Sequence, residues 1–283
     1  MSPRRRALGG LPLRVPRMWG AAILAGLWVS SVLAQWRPDT EKPLPPGAEV
    51  MNRVRESLHG RVVIAAGSLA SLDRDGEVRS SRSLRIRFDW TGEWPRVGVE
   101  IRDAFGSPEV EATLQSDATG GLSTRVQRME AGSPASAGAS DACVPGLDVS
   151  WTDLSLGFLW WPGGVTEQEE IKLGRVCYVV RVPAPALGSP YAAVRLWIDA
   201  KESALLQADG LDERGERIRR LAVRSLRKSD DGTWMIKDFE LSGAGRGAPR
   251  AVLSFDSVME EGPGPAGGKE ADPGEARNED RDL

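Results

Sequence analysis

Histidine is almost missing from this chain: 283 residues contain one, His59. Cysteine occurs twice, as Cys143 and Cys177, and tyrosine twice. One histidine and two distant cysteines cannot assemble a tetrahedral zinc site. A Ser-His-Asp or Cys-His site would depend on His59, yet no G-x-S-x-G string and no neighbouring cysteine accompanies it. His59 instead ends a helical segment, where a basic side chain suits the negative end of the dipole. No glycine-rich loop precedes a helix to cradle phosphate. Asp73-Arg74-Asp75-Gly76 begins like a calcium loop, but the later ligand positions and closing glutamate are wrong. Ser225-Leu226-Arg227-Lys228 fits an S-x-x-K string without its companion motifs, and it lies in a strand-like run. The composition therefore points away from an enzyme and implies no metal or cofactor.

A long apolar run occurs at the N-terminus. Arg4, Arg5, Arg6, Arg14 and Arg17 precede 17 uncharged residues, Met18–Ala34. A basic region, a short apolar stretch and a small-x-small ending describe a secretory signal peptide over residues 1–34, cleaved after Ala34. An uncleaved anchor is the alternative, since the run sits at the short limit for spanning a bilayer. Removing it leaves 32 basic against 40 acidic residues. An acidic mature chain lacks the clustered positive charge that nucleic acid requires. In an exported protein a Cys143–Cys177 disulfide and two separate thiols both remain open, because spacing does not report proximity.

Residues 35–47 are proline-rich and read as an extended lead-in. Val50, Met51, Val54 and Leu58 then recur at helical spacing within 48–58, ending near Gly60. Beyond the helix the period drops to two. Leu84, Ile86, Phe88 and Trp90 share one face against Arg85, Arg87 and Asp89, and Val97, Val99 and Ile101 repeat the pattern. Tyr178, Val180 and Val182 alternate with Cys177, Val179 and Arg181; Val194, Leu196 and Ile198 alternate with Arg195, Trp197 and Asp199. Such alternation predicts antiparallel strands. Turn strings at 73–77, 117–121, 212–216 and 229–233 place glycine where tight hairpins need positive φ. The expectation is a mainly β (α+β) domain over 48–260, a meander of ten or eleven strands. Twist accumulates from strand to strand, so a sheet that long must curl or close. Residues 131–146 read as a loop or flap. The tail 261–283 carries seven acids to three bases and no apolar period, the composition of a disordered segment.

The stretch 151–164, WTDLSLGFLWWPGG, gathers Trp151, Phe158, Trp160 and Trp161 beside a turn. Any fold would bury such side chains, each contributing about 1.5–3 kcal/mol. A curled sheet can also leave an apolar gap for a greasy ligand. Read as extended chain, Trp160 and Trp161 point to opposite sides, one to the core and one toward a ligand.

The order of segments is distinctive: the 151–164 corner, GRVCYVVRVPAP at 174–185, YAAVRLWIDAKESALLQAD at 191–209, the arginine-rich strand leading to TWMIKDFEL, and RAVLSFDSV at 250–258. This order resembles the outer-membrane lipoprotein-sorting group, the LolA-like periplasmic carrier superfamily. The resemblance implies an unclosed, curved antiparallel half-barrel with one or more helices in its concave face. It further implies a periplasmic, non-catalytic carrier of lipoprotein acyl chains or other lipid. Leu84, Ile86, Phe88, Val97, Val99 and Ile101 would form the cavity wall, with Phe158, Trp160 and Trp161 at one rim. An envelope-stress sensor or interaction module with a membrane-protein partner is the competing reading; an exported hydrolase dependent on His59 is a third.

Overall fold

The computed structural model describes residues 43–130, 133–135, 143–144, 147–185, 189–228, 234–245 and 247–261. The signal-peptide segment with its cleavage site, most of the lead-in, the acidic tail beyond 261 and the turn string 229–233 lie outside them.

Helix α1 (Gly47–Leu58) follows Pro46, whose carbonyl accepts from Glu49 and Val50 N–H at 3.0 and 3.1 Å. Glu49 sits in the first turn, where a negative charge suits the dipole. The buried stripe is Val50, Met51 and Val54, with Leu58 packed at its end. Gly60, at φ 79°, ends the helix and feeds the first strand.

Among the described residues the chain then weaves thirteen strands. The first half comprises β1 (Val62–Leu72), β2 (Val78–Asp89), β3 (Arg96–Arg102), β4 (Pro108–Ser116), β5 (Leu122–Glu130) and β6 (Ser133–Ala135). An inner segment follows: α2 (Trp151–Ser155) and a 3-10 turn (Gly157–Trp160). The second half comprises β7 (Val165–Lys172), β8 (Arg175–Pro183), β9 (Ala193–Asp199), β10 (Leu205–Leu211), β11 (Arg217–Lys228), β12 (Trp234–Gly243) and β13 (Arg250–Glu261). Each half is an antiparallel meander, and β1 pairs with β13 to make one sheet in the order β6-β5-β4-β3-β2-β1-β13-β12-β11-β10-β9-β8-β7. The strands β6 and β7 are the two edges, so the sheet is unclosed.

Laid flat, thirteen strands would span about 60 Å. They do not lie flat. A Cβ on Gly120, in the β4–β5 turn, would stand 3.0 Å from Pro162, which leads into the opposite edge strand β7. Inner residues of β1–β5 and of β8–β13 also share a single apolar cluster with α1, α2 and the 3-10 turn. The sheet is therefore curled around the helical pieces, as the alternation and resemblance predict. It has more strands than the ten or eleven expected; one addition is β6, inside the stretch read as a flap.

Hairpin chemistry is repeated. Asp73, Asp103, Asp117 and Asp212 each accept, through Oδ1, from the backbone N–H two and four residues on. The fourth residue of each turn is a glycine at positive φ. The aspartate side chain thus replaces hydrogen bonds that the reversing backbone cannot make to itself.

Curvature has a local cause where the halves join. The β1–β13 register slips at Ala66/Gly67, and a bulge of this kind bends a strand. A Cβ on Gly67 would lie 1.9 Å from the Ser254 carbonyl oxygen and 2.8 Å from Phe255 Cα, both backbone atoms. Gly67→Ala is expected to cost about 1–3 kcal/mol through forced backbone displacement. A thermal melt indistinguishable from wild type would refute this account of the joint.

The two cysteines are not bridged. Cys177 is a buried thiol on the outer face of β8, beside Val179, Trp197 and Leu206. Cys143 instead sits in a β-bridge with Ser150, next to Val144 of the main inner cluster. The strand alternation that turns Cys177 outward separates it from that cluster.

Candidate functional site

All nine residues expected to form the wall and rim belong to the same inner assembly. Leu84, Ile86, Phe88, Val97, Val99, Ile101, Phe158 and Trp161 are each between 0 and 9 % exposed, and half-buried Trp160 packs against them. Leu84, Ile86 and Phe88 of β2 face Ile101, Val99 and Val97 of β3 directly across the ladder. Cross-strand apolar pairs of this kind unite two strands into one continuous wall.

The stretch 151–164 is an internal segment rather than a strand. Its helix starts with a capping box: Ser150 Oγ accepts from Asp153 N–H at 3.0 Å while Asp153 Oδ2 accepts from Ser150 N–H at 3.3 Å. Leu156, in the left-handed region at φ 51°, ends α2 and starts the 3-10 turn. Ser155 Oγ donates to the Thr152 carbonyl and accepts from Gly157 N–H, both at 3.1 Å. Helical winding changes the side-chain directions expected of an extended chain. Trp161 is core, edge-on to Phe158 with centroids 6.4 Å apart, whereas Trp160 stacks on Trp90 at 6.3 Å. Trp90 in turn stacks on Phe88 at 5.2 Å, giving a three-ring ladder from the interior to the rim.

Two arginines tie this segment in place. Arg55 of α1 donates from Nε to the Leu159 carbonyl at 2.9 Å and from Nη2 to the Trp161 carbonyl at 2.8 Å. Those carbonyls end a helical turn and would otherwise lack partners. Toward the other end of the segment, Arg219 of β11 grips Asp148 through two 2.7 Å bonds, one to its carbonyl and one to its carboxylate. Arg219 Nε also lies 3.9 Å from Asp153 Oδ2. Asp153 is 3 % exposed and accepts from the Tyr191 hydroxyl at 2.7 Å. Burial raises the Asp153 carboxyl above its ordinary range, against the pull of Tyr191, Ser150 and Arg219. From sequence, Asp153 and Ser155 read as caps of this turn; Tyr191, Asp148 and Arg219 have no counterpart among the residues singled out there. The S-x-x-D spacing at Ser150 and Asp153 was the one local signal of this polar knot.

The outer face is chemically different. Trp197 Nε1 donates to Glu170 at 2.6 Å, and Lys172 Nζ stands 5.1 Å from the ring centroid. Burial pushes the neighbouring Cys177 thiol up to about 11. A cavity of about 370 Å³ there includes Lys172, Gln207, Arg220, Arg224 and Glu240 in its wall. Arg220 is held by two 2.7 Å bonds to Asp209, and Arg224 by Glu240, so this wall is an internally paired polar surface. A second cavity of about 320 Å³ is bordered by Arg85, Glu100, Arg102 and Asp256 together with Ala66, Gly67 and Leu84.

Three solved structures share this arrangement. A DUF1329 family protein from Desulfovibrio piger superposes with a TM-score of 0.61 at 16% identity, covering 75% of this chain and 90% of that one. A putative outer membrane lipoprotein-sorting protein domain from Vibrio parahaemolyticus gives 0.61 at 15% identity, covering 76% and 92%. The LolA-type fold is decided by a third. A LolA superfamily protein from Nitrosomonas europaea gives 0.54 at 12% identity, covering 76% and 93%. The chain has a LolA-like fold. No protein-family model and no curated protein matches the sequence. Within the LolA-like fold, Val144, the apolar residues of 147–161 and α1 pack against the inner face of the sheet.

Proposed function

We propose that this protein is an exported, periplasmic, non-enzymatic carrier that takes lipoprotein acyl chains, or another acyl lipid, into the concave side of its half-barrel. One observation carries the reading: the inward side chains of the sheet form one continuous apolar cluster, whereas the outer cavity beside Lys172 is walled largely by paired charges. An acyl chain needs removal from water and little else, which such a cluster supplies at about 25 cal/mol per Å² covered. The likeness to a putative lipoprotein-sorting domain supports the same reading.

In this reading the strands remain and the helical pieces yield. The sheet is a continuous hydrogen-bonded ladder, but α1 rests on the stripe Val50, Met51 and Val54 and on the bonds of Arg55. Moving it opens the apolar cluster that it shares with Phe88, Ile86 and Leu84 without breaking the sheet. The test is to purify the protein from envelope extracts, identify co-purifying lipid by mass spectrometry, and titrate the delipidated protein with acylated lipopeptide. Bound lipid and a shift in tryptophan emission are expected. A lipid-free preparation that ignores both lipopeptide and fatty-acid probes would sink the proposal.

A further inference from the structure

Three buried side-chain nitrogens among the described residues have no hydrogen-bond acceptor: Trp90 Nε1, Trp151 Nε1 and Arg53 Nε. No buried side-chain oxygen among those residues is in the same state. The interior is thus short of acceptors, and leaving a buried donor unpaired is costly enough that native proteins rarely do so. Arg53 has partial compensation, its guanidinium lying 5.7 Å from the Tyr178 ring centroid. Trp151 is 2 % exposed and enclosed within α2. Trp90 is placed differently.

We propose that the Trp90 indole N–H is the hydrogen-bond donor for the carbonyl at the head of a bound acyl chain. This rests on the carrier reading above and adds the group that recognises where the chain begins. Trp90 is 7 % exposed, and its backbone is fixed by Trp90 N–H to the Arg61 carbonyl and Gly60 N–H to the Trp90 carbonyl, both at 2.9 Å. Its own backbone polar groups are therefore engaged, and the acceptor for the indole has to come from elsewhere. The ring is stacked on half-buried Trp160, at the partly exposed margin of the inner cluster. Trp160 closes the 3-10 turn just ahead of Pro162 and two glycines at φ 82° and 124°, and Arg55 holds the carbonyls of the residues on either side of it.

Below Trp90, the same face of β2 continues through Phe88, Ile86 and Leu84. Six residues of strand extend about 20 Å, the scale of a long acyl chain. A ligand with its carbonyl at Trp90 and its tail along this row satisfies the orphaned donor and covers the wall together. An acyl ester or amide carbonyl offers a strong acceptor at the end of an apolar chain. An alkyl ether offers a much weaker one with nearly the same shape.

That difference is the test. Calorimetric titration of the full-length mature protein with a soluble short-chain ester phospholipid and its ether-linked analogue should show the ester bound about fivefold to tenfold more tightly, the value of one hydrogen bond. Trp90→Phe, which keeps an aromatic ring in the stack, should bind both equally and at the ether's affinity. Trp151→Phe should retain the preference. Repeating the pair with a diacyl lipopeptide and its dialkyl analogue identifies the source: preference in both pairs means any acyl lipid, and preference in the lipopeptide alone means a lipoprotein. Equal binding of ester and ether by wild type, or an undiminished preference in Trp90→Phe, overturns the donor assignment while leaving a lipid carrier standing. Loss of the preference in Trp151→Phe alone moves it to the other indole and overturns it equally. If Trp90→Phe does not fold, the wild-type ester-to-ether ratio still decides. Binding of neither lipid overturns the carrier reading as well.

Discussion

Phe158→Ala is expected to destabilise the protein by about 3–5 kcal/mol, the range for deleting a fully enclosed aromatic ring. Phe158 has no exposed surface and meets Trp161 edge-on at an interplanar angle of 82°. It sits in the segment around which the sheet is curled, so truncation leaves a hole that thirteen paired strands cannot readily close. Part of the cost is the lost ring–ring contact, about 0.5–1.5 kcal/mol beyond simple burial. Urea unfolding should show a lower midpoint with an unchanged slope, since the surface exposed on unfolding is nearly the same. The neighbouring Trp160→Ala should cost distinctly less, because Trp160 is only half-buried. Equal penalties at the two positions would mean that Phe158 does not anchor the inner segment.

That contrast also marks what could be read from the chain. Strand faces were legible because a period of two leaves a plain record: Leu84, Ile86 and Phe88 turn inward, and Val97, Val99 and Ile101 face them. The hairpin at 103–107 escaped notice, although Asp103 and Gly106 keep the offset used by the other turns. The inner segment was the hardest. WTDLSLGFLWW has neither a period of two nor a sustained helical one, because α2 lasts five residues and a 3-10 turn follows. Only tertiary burial holds such short pieces. Trp197 illustrates a second limit. Its outward direction follows from alternation, yet it is buried there by Glu170, Lys172, Leu206 and Cys177. Pairing across strands decides that, and a single strand's pattern cannot contain it. The shared inward face of β2 and β3 was readable; Trp90 as an unpaired donor was not, since an orphaned N–H is defined by what surrounds it.

Arg219→Met should expose a different kind of dependence, one that changes with pH. Removing this guanidinium leaves the Asp153 carboxylate buried with Tyr191 and Ser150 but without its one ion-pair partner among the described residues. Breaking such a pair from one side costs about 3 kcal/mol when the remaining charge stays ionised. Asp153 already has its pKa raised above the ordinary 3.8, chiefly by burial. A raised folded-state pKa means that the folded protein holds this proton more tightly than the unfolded chain does. The associated stability is fully present below the unfolded value and is lost as pH rises through the folded one. Removal of Arg219 pushes the folded value higher still. The deficit of Arg219→Met relative to wild type should therefore be largest near neutrality and shrink in acid, where Asp153 is protonated in both proteins. What persists in acid is the loss of the grip on Asp148, a half-exposed partner whose ion pair is worth about 1 kcal/mol or less. Urea unfolding at about pH 7 and about pH 4 measures the change, and shifts at Asp199 and Asp238 cancel because both proteins share them. Adding Asp153→Asn to the variant should restore most of the neutral-pH stability, since the amide keeps an acceptor for the Tyr191 hydroxyl and carries no charge. A deficit that is the same at both pH values, or that Asn fails to relieve, would show that Arg219 acts through Asp148 alone.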